Sequence, residues 1–110
     1  SVVVKEQLRV KSDYVKIRIW DHGQQDGDII TLRLNGEIIL EKYKIRKKAK
    51  ELLVPLKSAA NIIELYAHNL GNIPPNTAAI AIYSGDKEIK SLILKSDMHR
   101  SEAIKINKEK

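Results

Sequence analysis

The 110 residues carry 20 Lys+Arg against 14 Asp+Glu, a formal net charge of +6, with 43% hydrophobic residues and no cysteine. A chain of this length buries roughly two-thirds of its unfolded surface in one core, so it reads as a single domain over residues 1–107 with a polar tail, 108–110, that frays. Disulfides, thiolate nucleophiles and zinc–thiolate sites are excluded, and no apolar run approaches the ~20 residues of a membrane-spanning helix.

The sequence enters strand-like residues at once, as a mature chain or an excised domain would. Alternation with a period of two, the pattern of half-buried strands, dominates from there on. Val2, Val4, Leu8 and Val10 share one face of the first strand, with Lys5, Gln7 and Arg9 opposite. In the next, Val15, Ile17 and Ile19 point inward while Lys16, Arg18 and Trp20 point outward. After DHGQQDGD, Ile30, Leu32 and Leu34 alternate with Thr31 and Arg33, and Asn35-Gly36 joins that strand to residues 37–40. Asn-Gly predicts a type I′ hairpin turn, because both central residues need positive φ.

Leu52, Val54 and Leu56 alternate around Pro55, which lacks a ladder donor and so predicts an edge strand or a strand end. Ile63, Leu65 and Ala67 follow, then the turn-rich NLGNIPPN of residues 69–76, then Ala78, Ile80 and Ile82 up to Gly85-Asp86. Residues 89–94 and 103–106 give the last strands. Residues 41–53 keep a second reading open, since Ile45, Ala49, Leu52 and Leu53 also fall at helical spacing, without an N-cap or a terminal glycine to bound a helix. Eight or nine short strands at such regular intervals predict an all-β, antiparallel two-sheet sandwich. Its expected core is Val15, Ile17, Ile19, Ile30, Leu32, Leu34, Ile63, Leu65, Ala67, Ile80 and Ile82.

If consecutive strands run antiparallel, alternate connections lie at the same end. One end then collects the long segments 21–27, 44–50, 69–76 and 95–100, and the other collects Asn35-Gly36, residues 58–61 and Gly85-Asp86. Function in such folds sits on loops held by rigid strands, so the first end is the candidate contact surface. There Asp21, Asp26 and Asp28 crowd three carboxylates into eight residues. They either lock the loop by accepting backbone N–H bonds, with Gly23 and Gly27 supplying positive φ, or hold calcium, which takes six to eight oxygens. The spacing does not match the helix-loop-helix calcium motif. His22, His68 and His99 with Asp21 form a weaker zinc set, lacking the close pairing that metal sites favour.

Nothing in the sequence predicts an enzyme: it holds no G-x-S-x-G elbow, no phosphate-binding glycine loop and no cysteine nucleophile. Six of the nine residues 42–50 are basic: Lys42, Lys44, Arg46, Lys47, Lys48 and Lys50. Such a run is either a solvated face or a contact for a polyanion such as nucleic acid, although 5% aromatic residues without phenylalanine leave few stacking platforms.

Two pieces, WDHGQQDGDIITLRLNGEIIL and NIIELYAHNLGNIPPNTAAIAI, carry a resemblance over residues 15–82. The first presents Trp20, Asp21, Gly23, Asp26, Gly27, Asp28, Leu34, Asn35 and Gly36. The second presents Asn61, Ile63, Leu65, Ala67, Asn69, Gly71, Pro74, Pro75, Asn76, Thr77 and Ala78. Together they resemble an Ig-like β-sandwich module found within larger secreted or envelope proteins of bacteria. The resemblance implies a non-catalytic, extracytoplasmic domain that needs no cofactor and serves as a spacer or as a contact for neighbouring domains, a partner protein or a glycan. The residues expected to brace its loops or meet that partner are Trp20, Asp21, His22, Asp26, Asp28, Asn69 and Asn76, with the polyanion surface at 42–50 as the alternative.

Overall fold

The computed structural model describes residues 1–23, 27–67, 76–97 and 99–109. Asp26, His68, Asn69, Gly71, Pro74 and Pro75 therefore lie outside the described residues, as does the side chain of Ala67. Nine strands follow in order: β1 (Val2–Val10), β2 (Tyr14–Trp20), β3 (Ile29–Leu34), β4 (Glu37–Lys44), β5 (Lys50–Pro55), β6 (Ala60–Ala67), β7 (Asn76–Ser84), β8 (Lys87–Ser96) and β9 (Ser101–Lys108). The described residues include no helix, so the segment 41–53 resolves into the end of β4, a turn and most of β5.

Hydrogen bonding links the strands in the order β4-β3-β6-β9-β8-β7-β2-β5, with β1 beside β9. The sheet curls around one core and leaves open edges at β4 and β5, a nearly barrel-like arrangement. All pairs are antiparallel except β1 with β9, which run parallel from Val2 opposite Ser101 to Val10 opposite Lys108. That pair departs from a purely antiparallel reading, because period-two alternation contains no information about strand direction. β8 and β9 meet only at Ser96 and Ser101. Beyond that point they diverge, β8 continuing along β7 while β1 takes the vacated place beside β9.

The alternation sorts side chains as expected. Val15, Ile17, Ile19, Ile30, Leu32, Leu34, Ile63, Leu65, Ile80 and Ile82 are all buried in a single cluster, joined by Ile45, Leu94, Ile104 and Ile106. The first strand requires a correction. The β1–β9 register shifts between Val4 and Glu6, a bulge at Lys5 that reverses the face of everything before it. Leu8 and Val10 are buried as expected, whereas Val2 and Val4 stand exposed.

The expected hairpin turn has both required angles, φ 52° at Asn35 and 86° at Gly36. Pro55 ends β5, whose one ladder is to β2, so its missing donor costs no bond inside the sheet. β4, the opposite edge, is irregular. Glu41 and Lys42 together oppose Thr31, Lys42 takes φ 44°, and its N–H donates to Thr31 Oγ1 at 3.1 Å. The polar tail is tied down through Glu109: Lys108 N donates to Ala59 O, Glu109 N donates to Val10 O, and Lys108 Nζ donates to Leu56 O.

The end bearing the short connections is locked by a pair of asparagines. Asn35 exchanges bonds with Ile62: its N–H donates to Ile62 O, and its Oδ1 accepts from Ile62 N. Asn61 is fully buried, and its Nδ2 donates to Ser58 O and Ile106 O while its Oδ1 accepts from Ser58 N and Asn35 Nδ2. One side chain thus ties the β3–β4 turn, the β5–β6 turn and β9 together. Replacing Asn61 by Ala should destabilise the fold by about 2–3 kcal/mol, because the buried Ile106 carbonyl, and with it that of Ser58, loses its amide donor. Urea denaturation at constant m-value measures this, and a loss below about 0.5 kcal/mol would assign the stability of that end to packing alone.

Candidate functional site

At the opposite end, two of the four segments expected to converge, 21–27 and 44–50, are joined through backbone contacts at their described residues, while 69–75 lie outside the described residues. Asp21 N donates to Arg46 O at 2.7 Å, and Ile45 N donates to Asp28 O at 3.1 Å, so the segment between β4 and β5 is stitched to both ends of the Asp-rich loop. Ile45 is fully buried and acts as an apolar plug beneath that segment. The carboxylate of Asp28 accepts from Thr77 N at 3.3 Å, and Asn76 Nδ2 donates to Ile29 O at 3.4 Å. Asp21, Asp28 and Asn76 are all buried. A buried carboxylate is tolerable where polar hydrogens converge on it, and Asp28 sits where β3 and β7 both begin. Gly23 and Gly27 each take φ 85°, the left-handed conformation expected of them.

Of the remaining expected residues, His22 is exposed and Trp20 is half-buried at the end of β2, opposite Ala79 of β7. Lys42, Lys44, Arg46, Lys47, Lys48 and Lys50 are all exposed, although Lys50 Nζ lies 5.9 Å from the centre of the Tyr43 ring. Six exposed cations around one buried anchor, Ile45, therefore present a compact cationic rim beside the carboxylate-braced loop. Among the described residues no three His, Asp or Glu side chains are grouped to hold a metal ion.

The structure adds a cluster that the sequence reading missed. Glu102 is buried at the start of β9, its Oε1 accepting from Lys95 N at 2.9 Å and its Oε2 lying 3.0 Å from Arg100 Nη2 and 3.7 Å from Lys5 Nζ. The signal was present, since Glu102 shares the inward parity of Ile104 and Ile106. Beside it, Asp97 N donates to Arg100 O and His99 N donates to Asp97 Oδ1, closing the β8–β9 connection. On the outer face of β2, Arg18 Nε lies 3.0 Å from Glu51 Oε2, and its guanidinium stands over the Tyr83 ring at 5.3 Å. The bond to Glu51, with Tyr83 adding to it, holds Arg18 above its ordinary pKa.

Removing the Asp28 carboxylate with Asp28→Ala should cost about 1–3 kcal/mol, leaving the Thr77 N–H without its side-chain acceptor. Hydrogen exchange should quicken at Thr77 and Ile45 first. Unchanged protection at both amides would show that the carboxylate does not hold these loops.

Comparison with protein-family models, curated proteins and solved structures finds no match to this chain.

Proposed function

We propose that this chain is a non-catalytic interaction module whose contact surface is the end bearing Trp20, Asp21, His22, Asp28, Asn76 and the segment 42–50. The supporting observation is that the β2–β3 and β4–β5 connections and the start of β7 are pinned to one another by the Asp21–Arg46, Asp28–Ile45 and Asp28–Thr77 bonds, while His22 and the cations of 42–50 stay exposed. A surface ordered in advance loses less conformational entropy when a partner arrives. In this reading the strands form two layers of an Ig-like sandwich, β4-β3-β6-β9-β1 against β8-β7-β2-β5. The single Ser96–Ser101 link between the halves supports that division.

The resemblance adds the setting: a larger bacterial protein acting outside the cytoplasm, with neighbouring domains, a protein or a glycan as partner. The Asp-rich loop is then a brace and the domain needs no cofactor. Neither calcium nor a chelator should shift the melting temperature. A rise with millimolar calcium, reversed by chelation, would reassign Asp21, Asp26 and Asp28 to ion binding. The complete reading frame should encode an export signal, and a parent chain confined to the cytoplasm defeats this setting.

A second reading rests on the cationic rim itself, six exposed Lys and Arg side chains that would meet a polyanion such as an anionic glycan or nucleic acid. Retention on heparin near physiological salt should fall steeply as salt rises and should weaken in a Lys47→Glu/Lys48→Glu variant. Elution at low salt, unaffected by that variant, removes the polyanion reading.

A further inference from the structure

A second surface lies along the flank, on the side away from residues 42–50. β1 runs parallel to β9, and β8 antiparallel to it, so β1 and β8 face each other in opposite directions where the sheet divides. Among the described residues no ladder joins them. β8 is bonded on one side to β7, and its other edge carries no ladder from Lys87 to Leu94, the Lys95 N–H being taken by Glu102; β1 is bonded to β9 alone.

Two clefts occupy this seam in line. One, of about 260 Å³, is lined by Lys5, Lys95, Arg100 and Glu102 among others. The other, of about 420 Å³, is lined by Arg9, Lys11, Lys87 and Glu88 among others. Between them Lys90 Nζ and Glu6 Oε2 meet at 3.6 Å, bridging the two strands. Seven cations and four carboxylates line the whole seam, counting Glu6, Lys90 and Asp97, so it is net positive along its length. Open strand edges have a continuous row of backbone donors and acceptors, which an extended peptide can satisfy and a sugar or phosphate chain cannot match at the same spacing.

We propose that the β1–β8 seam receives an extended acidic peptide segment of a partner protein, pairing with the open edge of β8 while its carboxylates meet the cations at the two clefts. Charge selects this occupant over a second copy of the chain, because two such seams brought together would repel. The register shift in β8 next to Lys90 leaves residues 90–94 as the regular stretch available for pairing, up to the Lys95 N–H that Glu102 occupies. Lys87 and Lys95 stand about 27 Å apart at ~3.4 Å per residue, so a segment of eight or nine residues spans both clefts. This surface is independent of the loop end, and its failure would leave the reading given there intact.

The test uses the isotope-labelled chain and a ten-residue peptide of alternating Glu and Val. Binding should shift backbone amides of β8 and β1 and slow their exchange, while an alternating Lys and Val peptide should not bind. Lys95→Glu and Lys11→Glu should each weaken binding several-fold and together at least tenfold at unchanged melting temperature, with Lys57→Glu, an exposed cation elsewhere, as the charge-matched control. Absence of binding overturns the proposal, as does equal weakening by Lys57→Glu. A heparin oligosaccharide that produces the same shifts and slowed exchange would assign the seam to polyanions generally. Self-association that protects the same amides would assign it to a second copy.

Discussion

Burial of a wholly aliphatic core is the constraint on which everything else in this structure depends. Among the described residues the fully buried large side chains are all isoleucine or leucine, with no aromatic ring among them, in a chain that contains no phenylalanine. Branched aliphatic side chains have few rotamers and interdigitate closely, so a one-residue slip in any strand would turn a row of them to solvent. Register is therefore the quantity the rest of the molecule must hold, and polar side chains at the two ends hold it. Asn61 and Asn35 fix the end with short connections through amide bonds, and Asp28 and Asn76 fix the other through a carboxylate and an amide.

The two ends differ in what they leave exposed. The asparagine lock is inward and compact, satisfied by carbonyls of its own turns and of β9. The carboxylate-braced end has its fixings below the surface and its cations above it, so the same buried aspartates that order the loops also set how the exposed lysines are displayed. The flank between β1 and β8 follows a third arrangement, in which charged residues line the gap left by diverging strands and bridge it once, at Lys90 and Glu6.

Much of this was legible in the sequence where the signal is local. Alternation identified the strands and the inward faces of β2, β3, β6 and β7; Asn35-Gly36 specified a turn by its backbone angles; Pro55 marked an edge strand or a strand end, and it stands at both. Counting connections gathered the loops at one end before any contact was known. What could not be read depends on distant partners. The Lys5 bulge leaves the alternation of β1 intact on either side, and only its pairing with β9 exposes the extra residue. The left-handed Lys42 follows from a bulge against Thr31, with no glycine or asparagine to announce it. Glu102 shares the inward parity of Ile104 and Ile106, but its cations come from β1 and from the β8–β9 connection, far apart in the chain, so alternation alone does not name its partners.

The parallel pairing of the first and last strands has a mechanical consequence. β1 starts at the loop end, beside the start of β9, and both strands finish at the asparagine end. Tension applied between the two chain ends would draw β1 backward and β9 forward along their common axis, loading the bonds from Val2 to Val10 together instead of opening them one after another. Forced unfolding is limited by the rate of crossing the unfolding barrier, and a sheared ladder must rupture several bonds at once to cross it. A domain strung between neighbours under load would resist extension through this one strand pair, with the bulge at Lys5 as the place where the ladder is already interrupted.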